Sequence, residues 1–314
     1  MKKLLAAILC IVLCLSAACA FADNINFVTA GTASTFYPIS ATVVGLWNEG
    51  IEGMRAVATP SGGGIDNLNQ AYDGEAQIGI ANANLVYQAQ EGLASFEGYA
   101  NENLRIFAGL YINPNQVVVT KDSGINGLAD LAGNRISIGA AGSTTVDEAI
   151  VHLGSIGKTI DDIKAEYMDT SAAADAVSNK LLDGVWIMAG TPNSAVTQIM
   201  TTTDSKLMPI TAEEVEVLKA EYPWYAACDI PAGTYAGQDE AVPTSGVKLT
   251  LFITADVDEE TVYQMTKIFW ENWDMLTQTH GALKKADPKE ACNDVAGVAI
   301  HDGAARYYKE IGLL

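Results

Sequence analysis

Hydroxyl and glycine residues gather at two places where a β-branched, apolar run gives way to helical spacing, and such a junction can hold an anion. The first is Ile25 to Trp47, INFVTAGTASTFYPISATVVGLW. Here Gly31, Thr32, Ala33, Ser34 and Thr35 stand between a strand pattern at Ile25, Phe27 and Val28 and a helix face at Ile39, Val43, Leu46 and Trp47. The second is Arg135 to Leu153, RISIGAAGSTTVDEAIVHL. It places Gly139, Gly142, Ser143, Thr144 and Thr145 between Ile136 and Ile138 and a face at Val146, Ile150, Val151 and Leu153. A helix start leaves its first N–H groups unpaired and carries the positive end of the helix dipole, so each junction aims donors at one spot. Either alone also fits an ordinary βα connection. The pair, about a hundred residues apart, predicts two α/β lobes facing each other across a cleft, with ligand outside the carboxyl ends of the strands.

The remaining elements are those that must position these turns. A strand is predicted at Met54 to Thr59, followed by Pro60-Ser61-Gly62-Gly63-Gly64 and a helix carrying Ile65, Leu68 and Tyr72. Gln77 to Ala81 reads as a third strand, after which Asn82-Ala83-Asn84 opens a helix with Leu85 and Tyr87. Leu104 to Leu110 and Gln116 to Thr120 are extended runs leading into the second lobe. That lobe continues with a strand near Ala165 to Met168, a helix at Ser171 to Leu182, and the strand Gly184 to Met188 ending at Gly190 and Asn193. Met208 to Ile210, Thr211 to Ala220 and the aromatics Tyr222, Trp224 and Tyr225 complete it. Lys248 to Thr254 (KLTLFIT) echoes Gln116 to Asp122 (QVVVTKD), and paired crossovers of this kind make a hinge. One long helix is predicted from Asp258 through Leu276, and a last one near Asp302.

Met1 to Ala22 reads as a secretory signal peptide: Lys2 and Lys3, an apolar run from Leu4 to Leu15, and the cleavage triplet Ala20-Phe21-Ala22. Cys19 is offset by one position from the usual lipobox, so a periplasmic protein released by cleavage is expected in preference to a lipoprotein. Without Lys2 and Lys3 the chain keeps 16 basic residues against 38 acidic ones, a formal charge of −22. Such a surface repels nucleic acid and anionic lipid and argues against both as partners. It also makes any anionic ligand depend on local positive ends. Only Cys228 and Cys292 follow the signal, and their pairing is left open.

Enzyme chemistry finds little support. His152, His280 and His301 stand outside any H-E-x-x-H or H-x-H context, there is no G-x-S-x-G elbow, and neither Cys228 nor Cys292 lies in a cysteine signature. The glycine turns are neither a P-loop nor a dinucleotide fingerprint, and Asp161-Asp162 and Glu213-Glu214 read as helix-start carboxylates. No cofactor, no metal and a monomer are expected. The arginines Arg55, Arg105, Arg135 and Arg306 lie outside the strand-end loops, so a ligand carboxylate is expected to be held mainly by N–H groups and hydroxyls.

The phrases GTASTFYPISATVVGLWNEG, TPSGGGIDNLNQAYDGEAQIGIANANLVYQAQEG, LAGNRISIGAAGSTTVDEAI, IPAGTYAGQDEAVPT and HDGAARYYKEIG resemble the TAXI family, the extracytoplasmic solute receptors of TRAP transporters, over essentially the whole chain after the signal. The resemblance implies a two-lobed α/β periplasmic-binding-protein fold of type II, each lobe a mixed sheet flanked by helices, with a two-segment hinge. Lobe I would comprise residues 23–118 and 250–314, and lobe II residues 119–249. It implies binding of a small organic acid or amino acid, glutamate-like or a dicarboxylate, and delivery to the membrane subunits of a TRAP permease. The contacts it implies are Gly31, Thr32, Ser34, Thr35, Tyr37, Ser61, Gly62, Asn82, Asn84 and Tyr87 from lobe I, and Ser143, Thr144, Thr145, Gly190 and Asn193 from lobe II. The chain departs from the family at Ala33-Ser34-Thr35, where relatives carry more glycine, and at Asn84, where Asp is frequent. Two other readings stand beside this one: an oxyanion-binding protein serving an ABC importer, and a secreted hydrolase.

Overall fold

The computed structural model describes residues 24–32, 34–279 and 281–314. The expected signal segment 1–22 with its Cys19, and also Ala33 and His280, lie outside the described residues.

The first apolar run forms β1 (Asn24–Val28), which pairs in parallel with β2 (Arg55–Thr59) and β3 (Ile78–Asn82). Parallel neighbours need a crossover. Here α1 (Phe36–Gly50) and α2 (Gly64–Tyr72) supply it, and α3 (Ala83–Glu91) leaves the end of β3. The second half repeats the scheme with β5 (Arg135–Ser137), α4 (Thr144–Ser155), β6 (Lys164–Glu166), α5 (Thr170–Ser178), β7 (Gly184–Met188) and α6 (Ser194–Thr202), β5 lying parallel to both β6 and β7.

Two long strands run through both halves: β4 (Leu104–Thr120) and, after β8 (Ser205–Met208), α7 (Ala212–Glu221) and β9 (Ala226–Ile230), β10 (Val242–Thr254). β4 pairs with β10 from Leu104 to Pro114 and with β7 from Asn115 onward. β10 pairs with β9 from Val242 to Gly246 and with β3 from Leu249 onward. The backbones come close where the partners change: a Cβ on Gly246 would lie 2.8 Å from the Asn113 carbonyl oxygen and 2.5 Å from Ile112 Cγ2, so only glycine fits there. The chain closes with α8 (Glu259–Glu271), α9 (Trp273–Thr279) and α10 (Asp302–Glu310).

Alternation along the strands divides the cores, because successive side chains point to opposite faces. Ile106 packs with Leu68, Leu85 and Phe252, while Phe107 packs on the other face with Trp47 and Phe269. In the second half Val117 and Val119 join Trp186, Ile136 and Leu153, and Val118 joins Val177 and Ile199. Trp47 is fixed by stacking on Phe27 at 5.9 Å and by donating its Nε1–H to the Met265 carbonyl at 3.0 Å.

Four features differ from the sequence reading or go beyond it. The long helix beginning at Glu259 breaks at Asn272, whose Nδ2 donates to the Ile268 carbonyl at 2.8 Å. Asparagine competes in this way with the helix's own backbone bonds. The two runs 104–110 and 116–120 are one strand, since Ile112, Asn113 and Pro114 keep their pairing with β10. β9, AACDI, carries no alternating pattern and owes its strand form to pairing with β10. Cys228 and Cys292, whose pairing the sequence left open, are free and half-buried.

Candidate functional site

A cavity of about 520 Å³ lies where the starts of six helices converge. Gly31, Thr32, Ser34 and Thr35 bring the start of α1, Ser61 to Gly64 that of α2, and Asn82 that of α3. From the other half, Ser143, Thr144 and Thr145 bring the start of α4, Asp169 to Ser171 that of α5, and Gly190, Asn193 and Ser194 that of α6. Each loop follows the carboxyl end of a strand, as the fold requires of a ligand crevice. Buried Asn67 sets the relation of the first three: its Nδ2 donates to the Thr29 carbonyl at 2.7 Å and the Ile80 carbonyl at 2.8 Å, and its Oδ1 accepts from Ser61 Oγ at 2.5 Å.

The helix starts are not equivalent. At α5 the Asp169 carboxylate accepts from the Ser171 and Ala172 N–H groups, at 2.9 and 3.0 Å. At α6 the Asn193 Oδ1 accepts from the Ala195 and Val196 N–H groups, at 2.9 and 3.3 Å. Among the described residues no side chain of the capping residue does this at α2, α3 or α4. At α4 the Thr144 and Thr145 N–H groups have no partner among the described residues, and the Ser143 hydroxyl oxygen is buried with none. Unpaired donors at a helix start are where an anion gains most.

The wall holds aliphatic and aromatic surface as well, from Phe36, Ile80, Tyr111, Ile187, Met188 and Leu249. On its floor Asn113, 6 % exposed, donates through Nδ2 to Asn82 Oδ1 at 3.4 Å and leaves its own Oδ1 without a partner among the described residues. Asn82 Nδ2 in turn lies 2.8 Å from Met188 Sδ, a contact between the two halves. Among the described residues no arginine, lysine or histidine is part of the wall, and Asp169 is its one acidic residue. Arg105 donates to the Glu102 and Leu104 carbonyls, Arg135 pairs with Asp183 at 3.0 Å, and Arg306 pairs with Glu260 at 2.7 Å while lying over the Tyr263 ring. Among the described residues no cluster of three or more His, Cys, Asp or Glu could hold a metal ion, and no helix is long and apolar enough to cross a membrane.

The structure thus brings twelve of the fifteen residues singled out in the sequence to one cavity. Tyr37, Asn84 and Tyr87 are not part of its wall. One residue along a helix turns the side chain by about 100°, so Tyr37 diverges from Phe36. Asn84 is buried beside the cavity, and Tyr87 packs on Trp224 of the other half with ring centroids 5.9 Å apart. Tyr111 and Asn113 were missed because they lie inside a strand, where strand-end reasoning does not look. Thr170 and Ser171 were missed because the sequence reading took Ser171 only as the start of a helix of small residues.

The fold and cavity define the class: a two-lobed α/β fold of the periplasmic-binding-protein type, with a cavity between strand-end loops of its two halves. Many solved structures share the architecture, the following three among them. The alkanesulfonate-binding protein SsuA from Xanthomonas axonopodis pv. citri, bound to MOPS, is 13 % identical over 86 % of this chain and 86 % of its own, with a TM-score of 0.51. PhnD1 from Prochlorococcus marinus MIT 9301, in complex with methylphosphonate, is 10 % identical over 92 % and 98 %, with a TM-score of 0.54. A putative L-cystine ABC transporter protein from Listeria monocytogenes is 11 % identical over 85 % and 99 %, with a TM-score of 0.55. At these identities the likeness is one of fold.

The chain belongs to the NMT1-like family, which it matches over residues 27–312. This corrects the resemblance to TAXI receptors: the matching family is a different one, and the neighbours include ABC-type binding proteins. The phrases that carried the resemblance are largely strand-end turns and helix starts, which the two-lobed fold itself requires. The TRAP permease is set aside with it.

Proposed function

We propose that the protein is the extracytoplasmic receptor of an ABC importer and closes on a small organic anion: a sulfonate, a phosphonate or the carboxylate of an amino acid. One observation carries this reading. The uncapped starts of α2 and α4 face the same cavity, and that cavity has no cationic side chain among the described residues. Backbone N–H groups and hydroxyls then hold the anion, while Phe36, Ile187 and Leu249 take the organic part. The fold neighbours described as binding MOPS and methylphosphonate support an oxyanion over a sugar or a cation.

In this reading the lobes are residues 23–118 with 250–314, and 119–249, the signal segment 1–22 directs export, and the cleaved protein works as a monomer. Thr32, Ser34, Thr35, Ser61, Ser143, Thr144 and Thr145 supply hydroxyls to the ligand, with Gly31, Gly62, Asn82, Gly190 and Asn193 beside them. A glutamate-like amino acid or a dicarboxylate fits the same helix starts.

The test is a thermal-shift screen of alkanesulfonates, alkylphosphonates, amino acids and dicarboxylates, followed by calorimetry. A ligand at a hundred times its dissociation constant adds about 2.7 kcal/mol of stability. A shift confined to one anion class supports the reading. Shifts only with neutral or cationic compounds, or product formation by the purified protein, would overturn it.

A further inference from the structure

Directly below the cavity, on the α4 face that carries Thr145, a buried polar cluster ties α4 to both long strands. Glu148 is 1 % exposed. Its Oε2 accepts from Asn115 Nδ2 at 2.8 Å and its Oε1 from the Tyr225 hydroxyl at 3.2 Å. Asn115, on β4 where that strand changes partners, also donates to Ser245 Oγ on β10 at 2.9 Å and accepts from Trp186 Nε1 at 2.8 Å. Ser245 Oγ lies 2.6 Å from His152 Nε2, and His152 Nδ1 lies 2.7 Å from the Glu148 carbonyl oxygen. A neutral His152 carrying its proton on Nδ1 satisfies the set: Nδ1–H donates to that carbonyl, and Nε2 accepts from Ser245.

Burial keeps His152 neutral, lowering its pKa to about 4, so Glu148 gains no cation from it. The groups facing the Glu148 carboxyl are Asn115 and Tyr225, with His152 and acidic Asp147 on its own helix. Charged side chains on the other elements packed against α4, among them Asp130, Asp161, Asp162, Glu213 and Lys219, are exposed, and Glu214 is half-buried in its own helix cap. Burial pushes the Glu148 carboxyl up to about 7, although the bonds from Asn115 and Tyr225 pull it down. Both protonation states find partners. With the proton on Oε1 the carboxyl donates to the Tyr225 oxygen, which can accept as well as donate, and Oε2 still accepts from Asn115.

Thr145 and Glu148 lie three residues apart on one helix, about 4.5 Å along its axis at 1.5 Å per residue. An anion at the start of α4 and an ionised Glu148 would be two negative charges drawing on one helix dipole, with no cation between them among the described residues.

We propose that an anion binds at the start of α4 together with one proton, taken from solvent by Glu148. This rests on the reading of the cavity given above. Binding the anion favours the protonated carboxyl, and by reciprocity protonation strengthens anion binding by the same factor. Affinity is therefore highest when Glu148 is already neutral and falls as pH rises through its titration. The closed, loaded receptor is favoured in a mildly acidic surrounding and releases its anion more readily in an alkaline one.

The test titrates the whole protein with methanesulfonate and with glutamate, neither of which changes charge near neutral pH. Proton uptake is read with a pH electrode in unbuffered solution near pH 7, and affinity by calorimetry in bis-Tris and Tris from about pH 6 to about pH 8.5. Uptake of a substantial fraction of a proton and affinity about tenfold weaker at the alkaline end are expected, with both effects lost in Glu148→Gln. Tyr225→Phe removes a donor that lowers the Glu148 pKa, so the midpoint of the affinity curve moves to higher pH, and this keeps the test open if Glu148→Gln does not fold. Binding without proton uptake, or a pH slope retained in Glu148→Gln, overturns the proposal and leaves the anion-receptor reading standing. Absence of any binding to these probes at every pH, together with no shift from any sulfonate, phosphonate, amino acid or dicarboxylate in the thermal-shift screen, overturns both.

Discussion

Gly64 and Thr144 stand against each other across the cleft: a methyl group added to Gly64 would lie 2.7 Å from Thr144 Oγ1 and 3.1 Å from Leu85 Cδ1. These residues begin two uncapped helices of opposite lobes, so their separation measures how far the lobes have closed. In Gly64→Ala the helix itself gains, since alanine is the better helix former by up to about 1 kcal/mol. Closure, by contrast, is obstructed. Crowding of buried Leu85 in the same lobe opposes the helix's gain, so stability in urea is expected to stay within about 1 kcal/mol of the parent, while ligand affinity falls about tenfold, or about 1.4 kcal/mol. Unaltered affinity in the folded variant would show that the two helix starts need not meet.

The two kinds of helix start predict opposite outcomes for alanine substitution. Asn193 caps α6 through two N–H groups, so Asn193→Ala should cost about 1 kcal/mol of stability. The Ser143 hydroxyl has no partner among the described residues, so Ser143→Ala should stay within about 0.5 kcal/mol of the parent. The same Ser143→Ala should weaken ligand binding several-fold. Chemical denaturation and calorimetry on both proteins check the contrast. A large stability loss in Ser143→Ala would mean that its hydroxyl serves the fold and not the ligand.

Glu148 and His152 tilt the pH dependence of stability in opposite directions. His152 is held neutral, its pKa lowered from 6.5 to about 4, so between these values the unfolded chain binds more protons and stability rises with pH. Glu148 is raised from 4.5 to about 7, so between these values the folded chain binds more protons and stability falls as pH rises. Over the shared range, 4.5 to 6.5, the two slopes cancel. In Glu148→Gln only the His152 slope remains. Urea midpoints of the variant relative to the parent isolate the Glu148 contribution, since both proteins keep His152, and should climb from about pH 4.5 to about pH 7. A constant difference over that range would mean that Glu148 is not held with a raised pKa in the buried cluster.

Much of the site could be read in the chain because a strand-end turn rich in Ser, Thr and Gly is a local device. Thr32, Ser34, Ser143 and Thr144 reach the cavity by virtue of the strand before them and the helix after them. The same logic failed one turn further on. Asn84 and Tyr87 lie two and five residues past Asn82, the last residue of β3, and helical rotation carries them from the cavity, Tyr87 meeting Trp224 of the other lobe. Tyr111 and Asn113 gave no signal, since a residue inside a strand looks alike whether it faces a core or a cleft.

Amino-acid order alone determined the alternation of strands and helices, the doubling of the anion-type turn, the acidic surface and the absence of hydrolase signatures, because each depends on neighbours within a few residues. Tertiary structure decided what depends on distant parts of the chain. Asn67 shows why, since its one side chain sets the ends of β1 and β3 against α2. The cluster of Asn115, Glu148, His152, Tyr225 and Ser245 shows it again: five polar residues scattered over 131 positions become one buried network only where two strands cross between lobes.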